Sequence, residues 1–337
     1  MRIAVDAMGG DYAPEVVVQG SAAAVHAYDV DIVLVGRSKE IEKVASRIKN
    51  YPRERIKIIH TETVVAMDDA PTVSVRSKRD SSMSVGINLL KSKEADAFVS
   101  AGNTGAMVCA ATLNLGMLSG IERPAIGVAF PTPKGVSMVM DVGANIDPKP
   151  VHLLQYAIMA EAYYKAVLGN DEKPTIGLLN VGEEVTKGTD FIKETFQLLS
   201  KAPIRFIGNT EGKEIFSGNC NIIICDGYVG NVALKVTESV AEMLNDVLRR
   251  EILRGFFGKL GTLLLLRNLR RFKKELDYSE YGGAPLLGVN GTVLKGHGRS
   301  SSKAIKNAIR AAKAEVDRNV NDKIIEGVRA VKDAIIP

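Results

Sequence analysis

The sequence predicts an α/β protein built on a doubly wound, mostly parallel sheet, and three observations carry that expectation. Short runs rich in Val and Ile recur along the 337-residue chain, many continuously apolar, as strands covered on both faces require. Helical patterns fall between them, giving a β-α-β rhythm with right-handed crossovers. Glycine, asparagine and aspartate gather just past the ends of the runs, where open α/β sheets bind ligands.

In chain order the expected strands are Ile3–Asp6, Ile32–Val35, Ile56–His60, Ala97–Ser100, Ile126–Phe130, Ser137–Asp141, Thr175–Asn180, Arg205–Ile207 and Ile222–Cys225. Helical stretches such as Val151–Val167 and Gly188–Ser200 lie between them. The rhythm then breaks. Val229–Leu253 reads as one long helix and Leu260–Lys274 as a second, amphipathic one, with Gly255, Gly258 and Gly261 at the bend. Residues 229–275 are therefore expected to project as a helical pair from a single unit spanning 1–337. A hairpin over Leu286–Lys295 should turn at Asn290-Gly291, a type I′ signal. The closing helix, Ser302 to Ile335, carries Ile305, Ile309, Ala312, Val316, Val320, Ile324, Val328 and Val331 at helical spacing, a core or dimer-interface stripe.

Composition narrows the class. With 46% hydrophobic and 25% charged residues, the chain is neither disordered nor a membrane bundle. No apolar run approaches the ~20 residues that span a bilayer. The opening Met1–Asp6 enters a strand pattern at once, and Cys109, Cys220 and Cys225 lack metal-ligand spacing. The expectation is a cytoplasmic protein with buried free thiols. The net charge of +5 is local: nine basic residues and one acidic one lie between Arg249 and Lys274, so the rest of the chain is slightly negative. Such a patch calls for an acidic partner surface.

The chemistry concentrates at strand ends. Asp6-Ala7-Met8-Gly9-Gly10-Asp11 closes the first strand, and Ser100-Ala101-Gly102-Asn103-Thr104-Gly105 leads straight into an apolar helix. In the second segment glycines free the backbone N–H groups, Thr104 adds a hydroxyl and the helix dipole favours an anion, although an ordinary capped turn reads almost the same way. Asp141–Asn145, Leu178–Glu183 and Asp226–Asn231 repeat the theme, and together they suggest amide donors converging on a charged oxygen at one sheet edge. There is no Gly-x-Gly-x-x-Gly after the first strand, no Walker loop and no nucleophile elbow. His26, His60 and His152 read as structural, whereas His297 sits in a glycine-rich loop, Gly296-His297-Gly298, before a helix.

These segments, with Tyr281–Gly283 and in this order over nearly the whole chain, resemble the bacterial phosphate acyltransferases, the acyl-[acyl-carrier-protein]:phosphate acyltransferases of phospholipid synthesis. The resemblance implies a fold like that of isocitrate and isopropylmalate dehydrogenases and phosphotransacetylase, and a homodimer. It also implies attack of inorganic phosphate on a long-chain acyl thioester of acyl carrier protein. The acyl phosphate would pass to a membrane glycerol-3-phosphate acyltransferase. Phosphate is its own nucleophile, so the protein need only bind, position and stabilise.

On this reading Gly102, Asn103, Thr104 and Gly105 cradle phosphate. Asn145, Asn180 and Asn231 are candidates for phosphate or thioester oxygen, Asp6, Asp11 and Asp226 for orientation or proton handling, and Lys187, Lys235 or His297 for the needed cation. Tyr281–Gly283 and Gly296–Gly298 are candidates to line the acyl or thioester channel. The basic amphipathic set Arg249, Arg250, Arg254, Phe256, Phe257, Leu263, Leu264, Arg267, Arg270, Arg271, Lys273 and Lys274 is a candidate contact for carrier protein or, weakly, for the membrane interface. No metal or other cofactor and no nucleic-acid partner is expected. The rival readings are a phosphotransacetylase using coenzyme A, a metal-dependent hydroxyacid dehydrogenase on the same fold, and a non-catalytic scaffold binding carrier protein or lipid at the membrane surface.

Overall fold

A computed structural model describes residues 1–169, 173–252, 265, 267–268 and 282–335. Its strands are β1 (Arg2–Asp6), β2 (Asp31–Gly36), β3 (Ile56–His60), β4 (Ala97–Ser100), β5 (Ala125–Thr132), β6 (Gly135–Met140), β7 (Ile176–Leu179), β8 (Phe206–Thr210), β9 (Ile222–Ile224), β10 (Ala284–Leu287) and β11 (Thr292–Lys295). The helices are α1 (Glu15–Ala27), α2 (Ser38–Ala45), α3 (Pro71–Ser77), α4 (Ser82–Lys91), α5 (Thr104–Leu115), α6 (Pro150–Tyr163), α7 (Asp190–Lys201), α8 (Glu214–Ser217), α9 (Gly227–Ile252), α10 (Ser302–Asp317) and α11 (Val320–Ile335).

All eleven strands join one sheet in the order β3-β2-β1-β4-β11-β10-β5-β6-β9-β7-β8. Helices cover both faces. α1, α2 and α10 bury Val17, Ile41 and Ile305 against one half of the first face. α6, α7 and α11 cover the other half of that face with Tyr156, Leu199 and Ile324. Across the sheet, α3, α4, α5 and part of α9 pack Val75, Ile87, Met107 and Leu234 onto Phe98, Val139 and Val293. This two-sided cover is why the strands read as continuous apolar runs.

Strand direction corrects one expectation. β3, β2, β1, β4 and β11 run together; three antiparallel pairings, β11 with β10, β10 with β5 and β5 with β6, then reverse the sense, so β6, β9, β7 and β8 point the opposite way. The Asn/Asp–Gly motifs after β1 and β4 and those after β6, β7 and β9 thus end at opposite edges of the sheet, not at one. Local strand patterns carry no information about relative direction.

Two further elements differ. The hairpin exists, but its register pairs Ala284 with Lys295 and Pro285 with Leu294, and Val289 bridges to Met117. Neither Asn290 nor Gly291 has the positive φ that a type I′ turn demands, whereas Gly288 sits at 92°. The turn is therefore a four-residue loop tied to a neighbouring segment. The closing helix is two helices, broken where Asn319 adopts φ 49°, a left-handed cap that asparagine tolerates better than most residues. The break lets Ile305 and Ile309 pack in one core while Ile324 and Val328 pack in another. Leu260–Lys274 and Tyr281 lie outside the described residues, apart from helical Leu265, Arg267 and Asn268.

Candidate active site

The site begins with a row of polar side chains where apolar ones are the rule. Ser100 pairs with Lys295, and the β1–β4 register sets Asp6 beside Ser100. Alternation places all three on the same face as Ala4, Phe98 and Val293, at the carboxyl ends of three parallel strands. Asp6 is buried and its Oδ2 accepts from the Ser100 hydroxyl at 2.8 Å, while Ser100 Oγ accepts from the Gly102 N–H at 3.0 Å. Burial pushes the Asp6 carboxyl above its usual range, with Ser82, Ser100 and the N–H groups of Met8 and Gly9 opposing.

Lys295 completes the row. It is 8% exposed, and its ammonium donates to the Gly296 carbonyl. Burial lowers its pKa to about 8, and nearby Lys235 adds to the effect against the attraction of Asp6, Glu238 and Asp11. A half-desolvated pair of cations is a receptor for an anion.

α9 supplies the opposing wall. Asn231, Lys235 and Glu238, at i, i+4 and i+7, share one helix face and line a cavity of about 530 Å³ with Lys295, His297 and Thr104. Lys235 Nζ reaches Glu238 Oε2 at 2.8 Å, and Glu238 Oε1 lies 3.3 Å from His297 Nε2. The Arg299 N–H donates to His297 Nδ1 at 3.1 Å, which assigns the ring proton to Nε2, facing Glu238. Against the cost of partial burial, hydrogen bonds from His297 and Lys235 hold Glu238 below the usual carboxylate range.

The α5 N-terminus closes the third side. Asn103 caps it, its Oδ1 accepting from the Ala106 N–H at 3.0 Å. Its amide also donates to the carbonyls of Ala66, Met67 and Asp69 at 3.3, 3.0 and 3.0 Å, so this side chain clamps a loop and lines no part of the cavity. Gly105 lies where a Cβ would come within 2.6 Å of Pro71. Helix geometry leaves the first N–H groups of α5 unpaired inside the helix, and Thr104 borders the cavity with its hydroxyl unpartnered among the described residues. Of the four cradle residues, Thr104 alone borders it.

The structure separates the other candidates. Asp141 is fully buried and accepts from the N–H groups of Ile126, Gly143, Ala144 and Asn145, at 2.7 to 3.1 Å; burial nonetheless raises its pKa to about 6. That carboxylate folds the loop after β6, and the Asn145 amide donates to Tyr156 Oη at 3.0 Å instead of facing the cavity. Asp226 starts α9 by accepting from the Val229 N–H at 2.8 Å. Asn180 bonds Val181 N–H and the Lys187 carbonyl, shaping its own loop, and neither Asn180 nor Lys187 borders the cavity. Asn231 does, beside Gly143. Arg250 pairs with Glu251 at 3.1 Å, and Arg267 is exposed. The side chain of Arg249 and all of Arg254, Phe256, Phe257, Leu263, Leu264, Arg270, Arg271, Lys273 and Lys274 lie outside the described residues.

Sequence reasoning missed Lys295 and Glu238, and a signal existed for both. Thr292-Val293-Leu294-Lys295 alternates so that Lys295 shares the buried face of Val293 at a strand end. Glu238 lies one turn beyond Lys235 on the face that begins at Asn231. Among the described residues no group of three His, Cys, Asp or Glu is placed to hold a metal ion, and no helix is long and apolar enough to cross a membrane.

Comparison with known proteins decides the family. The profile of a family described as "Fatty acid synthesis protein" matches residues 1–323. A phosphate acyltransferase of Alkaliphilus oremlandii (strain OhILAs) is 46% identical over 333 residues, covering 99% of both chains. One from Dictyoglomus turgidum (strain DSM 6724 / Z-1310) is 47% identical over 335 residues, again covering 99% of each. The chain belongs to the phosphate acyltransferase family. As a phosphate acyltransferase family member it is an acyltransferase enzyme. The fold agrees: a solved phosphotransacetylase from Streptococcus pyogenes superimposes with a TM-score of 0.65 at 18% identity, covering 94% of each chain. A 4-hydroxythreonine-4-phosphate dehydrogenase from Klebsiella pneumoniae gives 0.53 at 13% identity, covering 94% of this chain and 99% of that one. At such identities the likeness speaks for the fold alone.

Proposed function

We propose that this cleft transfers an acyl group from a thioester to inorganic phosphate, and that Lys295 is the residue on which the reaction turns. The observation that carries this reading is the buried ammonium of Lys295 beside Lys235, facing the α5 N-terminus across a cavity that also holds His297. Two cations and a helix N-terminus suit a dianion.

Hydrogen phosphate bound there attacks the thioester carbonyl carbon, the C–S bond breaks after a tetrahedral oxyanion forms, and the sulfur leaves as a thiolate. The phosphate gives up one proton and the thiolate takes one, so the reaction is proton-neutral. Lys295, with a pKa near neutrality, is suited to donate at the sulfur and to recover the proton from phosphate. On this reading Asn231 and Thr104, which both border the cavity, donate hydrogen bonds to the developing oxyanion or to phosphate. Glu238 keeps Lys235 and His297 in place and is a positioning residue. The reading is tested by thiol release from a 16-carbon acyl thioester with and without inorganic phosphate. Lys295→Met should reduce the phosphate-dependent rate at least 100-fold, on the order of 2.7 kcal/mol of barrier. An unchanged rate sinks the assignment.

The donor we infer is an acyl carrier protein, whose acidic surface complements the basic residues between Arg249 and Lys274. Comparing carrier-protein with coenzyme A thioesters separates this from a coenzyme A enzyme. The acyl phosphate would serve a membrane-bound glycerol-3-phosphate acyltransferase on the way to phosphatidic acid. The amphipathic composition of 252–274 then supports weak peripheral contact with anionic lipid, and absence of binding in vesicle flotation contradicts it.

A further inference from the structure

We propose that the acyl chain of the donor threads through the sheet itself, in a slot where β5 and β10 part. This rests on the acyl-transfer reading above and adds where the chain goes. β10 pairs with β5 through only two residue pairs, Leu286 with Ile126 and Leu287 with Ala125. Continued by one and two residues, that ladder would set Pro285 against Gly127 and Ala284 against Val128. It stops short of both, although each strand keeps its other neighbour there. Ala284 and Pro285 remain paired with β11, and Gly127 through Thr132 remain paired with β6. Pro285 has no N–H to offer the ladder, so its position tolerates the parting.

The cavity fills the gap. Gly127, Val128 and Ala129 line one bank, and Gly283, Ala284 and Pro285 the other. Lys235 and Lys295 stand at the mouth on the α9 face. Met138, Tyr163 and Leu168 line it beyond the sheet, within the core built around α6. Residues of both cores line this cavity, so it enters the gap between the strands, with the buried Met138 and Tyr163 at its far end. Its polar mouth and apolar depth match the two ends of an acyl thioester undergoing attack at the carbonyl. Each methylene carried from water into such a passage strengthens binding by about fourfold.

Small residues make the passage. A Cβ on Gly127 would stand 2.1 Å from Met138 Cε, so the Met138 side chain lies across that glycine. Methionine is flexible and adapts to the shape beside it, which suits a movable floor to an acyl channel. On the other bank a Cβ on Gly283 would stand 2.8 Å from the Lys295 carbonyl.

Two measurements test the slot. The first uses a 16-carbon acyl thioester of phosphopantetheine bearing a terminal diazirine, photolysed on the wild-type chain and mapped by peptide mass spectrometry. Adducts should fall on 127–129, 138, 163–168 or 282–285; adducts confined to the outward face of α9 overturn the proposal. The second is Ala284→Leu, which narrows one bank. The ratio of kcat/KM for a 16-carbon over a 4-carbon donor should fall at least tenfold, and an unchanged ratio overturns it. Failure of the underlying reading looks different: the wild-type chain would release no thiol in a phosphate-dependent way from either donor, which overturns both.

Discussion

At the scale of single residues, the side chains that look most ready to bind phosphate in the sequence are occupied in building the site. Asn103 spends its amide on three carbonyls and its oxygen on a helix cap. Asn103→Ala should therefore lower unfolding free energy by ~1–3 kcal/mol in denaturant titration, a loss of cap and clamp. A variant as stable as the wild type contradicts that role. Lys295 carries the opposite lesson: its only mark in the sequence is its alternation with Val293 at a strand end, and it takes the strand pairing to place it beside Ser100 and Asp6. Its pKa of about 8 gives a pH signature. As pH rises through that value the ammonium is lost, so phosphate should bind more weakly, seen as a rising KM for phosphate. Lys295→Arg, always charged, should flatten that rise, and a parallel rise in both proteins contradicts it.

At the scale of elements, α9 is inverted. The face bearing Asn231, Lys235, Glu238 and Glu242 turns inward to the cavity and to Arg299, while Val229, Val232, Val236, Val240, Met243 and Val247 are exposed on the other side. An apolar stripe this long on a helix is covered in a working protein. A second copy of this chain is the occupant we infer, in keeping with the homodimer that the family resemblance implies. Val236→Glu combined with Val240→Glu should shift sedimentation from dimer to monomer, and a dimer that survives both substitutions contradicts it. The existence of most elements was legible in the sequence to within a residue or two, because continuous Val/Ile runs report burial on both faces. Relative strand direction, the slipped hairpin and the break at Asn319 were not. Each depends on what the segment meets across the fold: the bridge from Val289 to Met117, or the two cores that α10 and α11 serve.

At the scale of the whole molecule, one buried acid makes stability depend on pH. Glu315, on α10, is 1% exposed, and neither carboxyl oxygen has a hydrogen-bond partner among the described residues. Burial raises its pKa to about 8, with nearby Thr292 offsetting only part of the effect. Between the ordinary glutamate value and about 8 the folded chain keeps a proton that the unfolded chain has released. Stability from this group must therefore fall as pH rises across that window, at up to about 1.4 kcal/mol per unit. Asp141, raised to about 6, adds a slope of the same sign at lower pH, so Glu315→Met should flatten the slope between about pH 6 and 8 in urea unfolding series, and an identical slope there in both proteins contradicts it.

The same large scale explains how one cleft draws on both ends of the sheet. α9 starts beside the loop after β6 and runs to the end of β11, so Gly143 and Asn231 meet Lys295 and His297 along one cavity. The measurement that reaches the central claim most directly is phosphate-dependent thiol release from a 16-carbon acyl carrier-protein thioester, run with the wild-type chain and Lys295→Met. Release that follows phosphate concentration, yields acyl phosphate in equal amount and falls at least 100-fold in the variant is the expected result. Release that ignores phosphate, or that survives loss of the Lys295 ammonium, would contradict the account.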